Sequence, residues 1–146
     1  MTRIASTIEN GHTSVMEHMY ITVLFEKTSK AFAMLLNGLQ AYNTSEKSGR
    51  YTVISEEGSS LYDKWTSIFK ELFSKDDTRP KNKLQTTINE NARYVLSVFN
   101  KGTTFSYTTS WRMWNYIKIY CDRFIANADD TYSKKLSEEL RCLSEF

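Results

Sequence analysis

The run His18–Glu26, H-M-Y-I-T-V-L-F-E, limits the fold more than any other stretch of the chain, because β-branched and aromatic residues crowd it and no helix breaker interrupts it. Such a composition suits a pleated, half-buried strand. Almost everything else reads as helix. Thr28 and Ser29 offer hydroxyl caps to a helix through Lys30–Leu36, which Asn37-Gly38 ends. Leu61, Trp65, Ile68, Phe69 and Leu72 recur near the helical period after an opening Ser55-Glu56-Glu57, and Leu84, Ile88, Ala92, Val95 and Phe99 do so in a helix predicted from about Asn82 to Phe99. A second strand is expected at Phe105–Thr109. Ser110 then caps a helix carrying Trp111, Trp114, Ile117 and Phe124, and a charged amphipathic helix runs from Asp130 to Leu143.

One or two strands among many helices predict an α+β fold, a small mostly antiparallel sheet flanked by helices, with helix dominating. The segment Lys75–Lys81 holds the sole proline, Pro80, and reads as a turn between two helices. Leu39–Arg50 shows neither period and is rich in Asn, Thr, Ser and Gly, so it is expected to be a polar loop. No repeat or low-complexity tract divides the 146 residues, and a single domain spanning 1–146 is expected.

A net charge of +2 is too small for a nucleic-acid or membrane surface as partner, and the longest apolar run, Ala31–Leu36, is too short for a bilayer span. Cys121 and Cys142 lack metal or redox spacing, which points to reduced thiols and a cytoplasmic setting. No His, Cys, Asp and Glu spacing suggests a metal, Glu17 and Glu46 included. Ser48 has no recognisable triad partner in the sequence. Read without further context, His18 is a packed strand residue, Glu46 with Arg50 is an exposed ion pair, and Trp65, Trp111 and Trp114 are core.

Two short segments change that reading. Gly11-His12-Thr13-Ser14-Val15-Met16-Glu17-His18 precedes Ser45-Glu46-Lys47-Ser48-Gly49-Arg50-Tyr51, and together they resemble the flavin-dependent thymidylate synthases. The second segment ends that family's signature R-H-R-x-x-S-x-N-E-x-S-x-R-Y, with Glu46, Ser48, Arg50 and Tyr51 at matching places. Glu90-Asn91-Ala92-Arg93-Tyr94-Val95-Leu96 resembles its downstream A-R-x-x-L segment, and the likeness runs from about His12 to Arg123.

The resemblance implies reductive methylation of deoxyuridylate (dUMP) to dTMP, with FAD as cofactor and methylenetetrahydrofolate and NADPH as co-substrates. It implies nucleotide binding by Glu46, Ser48, Arg50 and Arg93, with Ser48 in the catalytic set. His12 and Ser14, matching H-x-[ST], together with Glu46, Arg112 and Asn115, are implied on the flavin side. A homotetramer with sites between subunits is also implied. Arginine suits such a phosphate because its planar fork donates two parallel hydrogen bonds.

The chain departs from the signature at defined places. Gly38, Leu39 and Gln40 stand where the family carries Arg-His-Arg, Asn43 replaces the first serine, and Ser45 replaces the asparagine. Leu35 takes a nucleotide-binding glutamine's place, and Tyr120 falls near the expected uracil-activating arginine. Lys30 and Lys47 are candidate replacement cations. These departures define two other readings: a non-catalytic nucleotide-binding relative, and a flavin-dependent transferase acting on another pyrimidine nucleotide.

Overall fold

The element order follows from where capping side chains and apolar periods meet. A computed structural model describes residues 3–39, 41–48, 59–75, 78 and 80–145. Helix α1 (Arg3–Glu9) leads into a 3-10 turn, Thr13–His18, then strand β1 (Tyr20–Thr28), helix α2 (Lys30–Asn37) and strand β2 (Tyr42–Glu46). Helices α3 (Ser59–Ser74) and α4 (Lys81–Ala92), a 3-10 turn at Arg93–Val95, strand β3 (Thr103–Ser110) and helices α5 (Trp111–Ala126) and α6 (Thr131–Ser144) complete it.

The α+β expectation holds: helix dominates, and one three-stranded sheet runs in the order β1-β3-β2. Pairing is antiparallel. The Thr22 and Thr108 hydroxyls meet at 2.8 Å and the Trp111 N–H donates to the Met19 carbonyl at 2.7 Å, so positions fall along β3 as they rise along β1. Likewise Thr44 Oγ1 donates to the Ser106 carbonyl and Thr109 Oγ1 to that of Ala41. The central strand is β3, whose alternate residues Thr103, Phe105, Tyr107 and Thr109 are buried in the two-residue rhythm of a strand.

The chain forms two compact units. The first comprises Met1–Phe25, Met34–Ser45 and Ser106–Phe146; the second comprises Glu26–Ala33 and Glu46–Phe105. In the first, Trp114 packs tilted on Phe25 and edge-on to Tyr107, while its indole N–H donates to the Ile21 carbonyl. Tyr42 stacks on Tyr107 at 4.9 Å, and helices α5 and α6 pack together around buried Ile117, Cys121, Leu136 and Leu140. In the second, Phe32 meets Phe105, and α3 packs on α4 with Tyr62, Ile88 and Ala92 buried. Each such buried side chain contributes about 1.5–3 kcal/mol through removal from water, a small residue such as alanine less.

The caps follow the sequence closely. Ser29 Oγ accepts from the Phe32 N–H, Ser110 Oγ from Met113 and Asp130 from Tyr132 and Ser133, each engaging an N–H that a first helical turn leaves free.

Several expectations change. Tyr42–Glu46 is a strand, although the expected loop spans it, because backbone pairing along β3 compensates for a side-chain pattern without strand character. Helix α4 stops at Ala92 instead of Phe99, where Arg93–Val95 tightens to 3-10 and Leu96 turns extended. The buried side of α3 is turned by one position: Tyr62, Thr66, Phe69 and Phe73 face inward, and Leu61, Trp65 and Leu72 are exposed. Of the three tryptophans only Trp114 is core, and His18 is exposed. Gly38 ends α2 without a positive φ; a Cβ there would lie 3.2 Å from the Leu35 carbonyl. Ser55, Glu56 and Glu57 lie outside the described residues.

Candidate functional site

The second unit contains a cavity of about 430 Å³ whose walls come from four places in the sequence. Lys30 starts α2, Glu46 ends β2 with Lys47 following, Arg93 and Tyr94 form the 3-10 turn after α4, and Thr103 starts β3. Leu96 and Val98 supply apolar wall. Short backbone bonds fix these pieces: the Ala31 N–H donates to the Val98 carbonyl at 2.8 Å and the Lys47 N–H to that of Thr104 at 2.9 Å.

Three cations and one carboxylate line this space. Lys30 Nζ donates to both oxygens of Glu46, at 2.6 and 2.8 Å, with the two side chains 46% and 26% exposed. Partly solvated pairs of this kind contribute about 0.2–1 kcal/mol. The pair therefore orients Lys30 and Glu46 without locking them against an incoming anion. Arg93 is half-buried, and its guanidinium carbon sits 5.6 Å from the centre of the Tyr94 ring, within the range of a cation–π contact. The start of α2 is otherwise engaged, since the Ala31 N–H binds Val98 and the Phe32 N–H binds Ser29. Anion binding here falls to side chains.

The arrangement gathers residues that the sequence leaves far apart. Glu46 and Arg93, both expected to touch a nucleotide, share this cavity with Lys30 and Lys47. Ser48 is exposed, one residue beyond Lys47. Arg50 and Tyr51 lie outside the described residues. Tyr94, Leu96 and Val98 are not among the residues expected from the sequence to form walls; Tyr94 and Leu96 share the segment that carries Arg93, whereas Val98 lies beyond it.

The residues expected on the flavin side, apart from Glu46, belong to the first unit. His12, Ser14 and Asn115 are exposed. Arg112 donates to the Tyr116 hydroxyl at 3.3 and 3.4 Å and to Glu17 at 3.2 Å. The Tyr116 hydrogen bond, with Glu17 adding to it, holds this guanidinium charged above the ordinary arginine range. An imidazole, a hydroxyl, an amide and a fixed cation fit the polar groups of a phosphate-bearing cofactor chemically. Tyr120, near the expected position of an arginine, is exposed on α5.

Among the described residues no three His, Cys, Asp or Glu side chains gather as metal ligands, and no helix is long and apolar enough to cross a membrane.

Fold and cavity define a helix-rich α+β protein with a cation-lined hollow suited to a small anionic ligand. The chain belongs to the Thy1 family, described as thymidylate synthase complementing protein, whose family model matches residues 2–129. Helix α6 lies beyond that match. Two solved structures are similar, both of the flavin-dependent thymidylate synthase ThyX of Helicobacter pylori with FAD and dUMP. One is 15% identical with a TM-score of 0.49, covering 92% of this chain and 71% of the other; the second is 16% identical at 0.49, covering 93% and 72%. No curated protein matches the chain significantly.

Proposed function

We propose that the protein is a flavin-dependent thymidylate synthase that converts dUMP to dTMP, with methylenetetrahydrofolate as carbon donor and NADPH as reductant. The observation that carries this reading is the meeting of Glu46 and Arg93, from two separate family segments, in one cation-lined cavity. Family membership supports it further.

In this reading Lys30, Lys47 and Arg93 hold the nucleotide phosphate, and Glu46 orients Lys30. Charge-assisted hydrogen bonds of this type contribute about 1.5–3 kcal/mol each. Arg50 adds a second guanidinium, and Ser48 hydrogen-bonds the substrate within the catalytic set. His12, Ser14, Arg112 and Asn115 hold FAD, which supplies the hydride when bound. The protein's own contribution is positioning and electrostatics; no side-chain nucleophile is required. Assembly into a homotetramer brings the site residues of several copies together, and the protein works in the cytoplasm.

A second reading, a non-catalytic nucleotide-binding relative, is favoured by Gly38, Leu39 and Gln40 in place of Arg-His-Arg and by Tyr120 in place of an arginine. Two missing charge-assisted contacts amount to several kcal/mol, and each ~1.4 kcal/mol is tenfold in affinity. Release of tritium from C5-labelled dUMP, in the presence of FAD, NADPH and methylenetetrahydrofolate, separates the two. Turnover that requires FAD supports the synthase. Nucleotide binding with no FAD uptake and no tritium release leaves the non-catalytic relative.

A further inference from the structure

Tyr94 is the one aromatic ring among the described residues that line the second unit's cavity, and it is 78% exposed, the most exposed of the large apolar and aromatic side chains described. An aromatic side chain stabilises a fold through the area it buries. Tyr94 buries little. Its successors Val95 and Leu96 are half-buried and anchor the turn without it. The Arg93 guanidinium carbon lies 5.6 Å from the ring centre, within cation–π range.

We propose that Tyr94 is a stacking platform for the planar ring of a phosphorylated ligand, and so a specificity-determining residue of this cavity. The inference rests on reading the cavity as a nucleotide pocket. Lys30, Lys47 and Arg93 take the phosphate, which every sugar phosphate also carries, and so give affinity with little selectivity. An open aromatic face selects for a flat base: stacking rewards a ring whatever its hydrogen-bonding edge, and a bare sugar phosphate receives nothing from it. Arg93 serves both ends, since one guanidinium can bond a phosphate while its carbon rests against the tyrosine ring.

The test is a titration of the 146-residue chain with dUMP and with ribose 5-phosphate, which shares the phosphate and lacks the base. Wild type, Tyr94→Phe and Tyr94→Ala are compared by 31P NMR and calorimetry. Tyr94→Phe keeps wild-type affinity for both ligands. Tyr94→Ala loses about five- to a hundredfold for dUMP, the span of one stacked base, and leaves ribose 5-phosphate unchanged. Unchanged dUMP affinity in Tyr94→Ala overturns the stacking role and leaves the nucleotide pocket standing. Equal losses for both ligands overturn it too, reducing Tyr94 to a support for Arg93. If wild type binds neither ligand, the nucleotide reading of the cavity fails and this inference fails with it.

Discussion

Ala41 adopts φ +61°, a left-handed conformation that crowds the Cβ of any residue but glycine. The side chain is exposed, and the Ala41 carbonyl accepts from the Thr109 hydroxyl, a bond that glycine would keep. Ala41→Gly should raise stability by about 0.5–1 kcal/mol in urea unfolding; a lower midpoint would mean that glycine's extra unfolded-state freedom outweighs the relief. The two thiols differ just as sharply. Burial, reinforced by Asp122 and Cys142, pushes the Cys121 thiol up to about 12, while Cys142 is exposed. Ellman's reagent at pH 8 should therefore label one thiol per native chain and two after denaturation, and rapid labelling of both in the native protein would contradict the buried position of Cys121. At the cavity, Arg93→Ala should weaken dUMP binding by about 1.5–3 kcal/mol with the fold intact, readable by calorimetry beside circular dichroism.

Helix α6 begins at a cap whose strength depends on its charge. The Asp130 carboxylate accepts from the Ser133 N–H and hydroxyl and from the Tyr132 N–H, and these bonds, those of Ser133 foremost, hold its pKa below the ordinary 3.8. A depressed folded pKa adds stability that is complete above the unfolded value and disappears as pH falls through the folded one. Asp130→Ala should accordingly lower the melting temperature at pH 7, with the difference shrinking below about pH 4; a gap that stays constant down to pH 2 would show that the charge is irrelevant to the cap. The elements also divide by legibility. Helices α2, α5 and α6 announce themselves through hydroxyl or carboxylate caps and periodic apolar residues, a signal carried within a dozen residues. Strand β2 does not, since Tyr42–Glu46 has a strand's conformation only because β3 offers its backbone groups for pairing. The packing side of α3 was similarly hidden. Leu61, Trp65 and Leu72 and the alternative Tyr62, Phe69 and Phe73 both satisfy a helical period, and only the position of α4 chooses between them.

For the whole molecule, the family assignment and the cavity bear on one test. FAD added to purified protein should show shifted flavin absorbance and quenched fluorescence that change again with dUMP; a folded protein whose flavin signal stays that of free FAD would favour the non-catalytic relative. The sequence by itself determined the helix-rich α+β class, most helix starts and the ordered residues of the family likeness, because caps, periods and short motifs are encoded over a few neighbouring positions. It named Glu46 and Arg93 as partners of one ligand and Lys30 as a spare cation. Only the tertiary structure decided that Lys30 grips Glu46, that Arg93 stands over Tyr94, and that these residues line one hollow. The reason is physical: the Lys30–Glu46 pair and the shared cavity join the start of one helix, the end of an edge strand and a 3-10 turn, and chain pairing and burial, not local residue preference, set the distances among them.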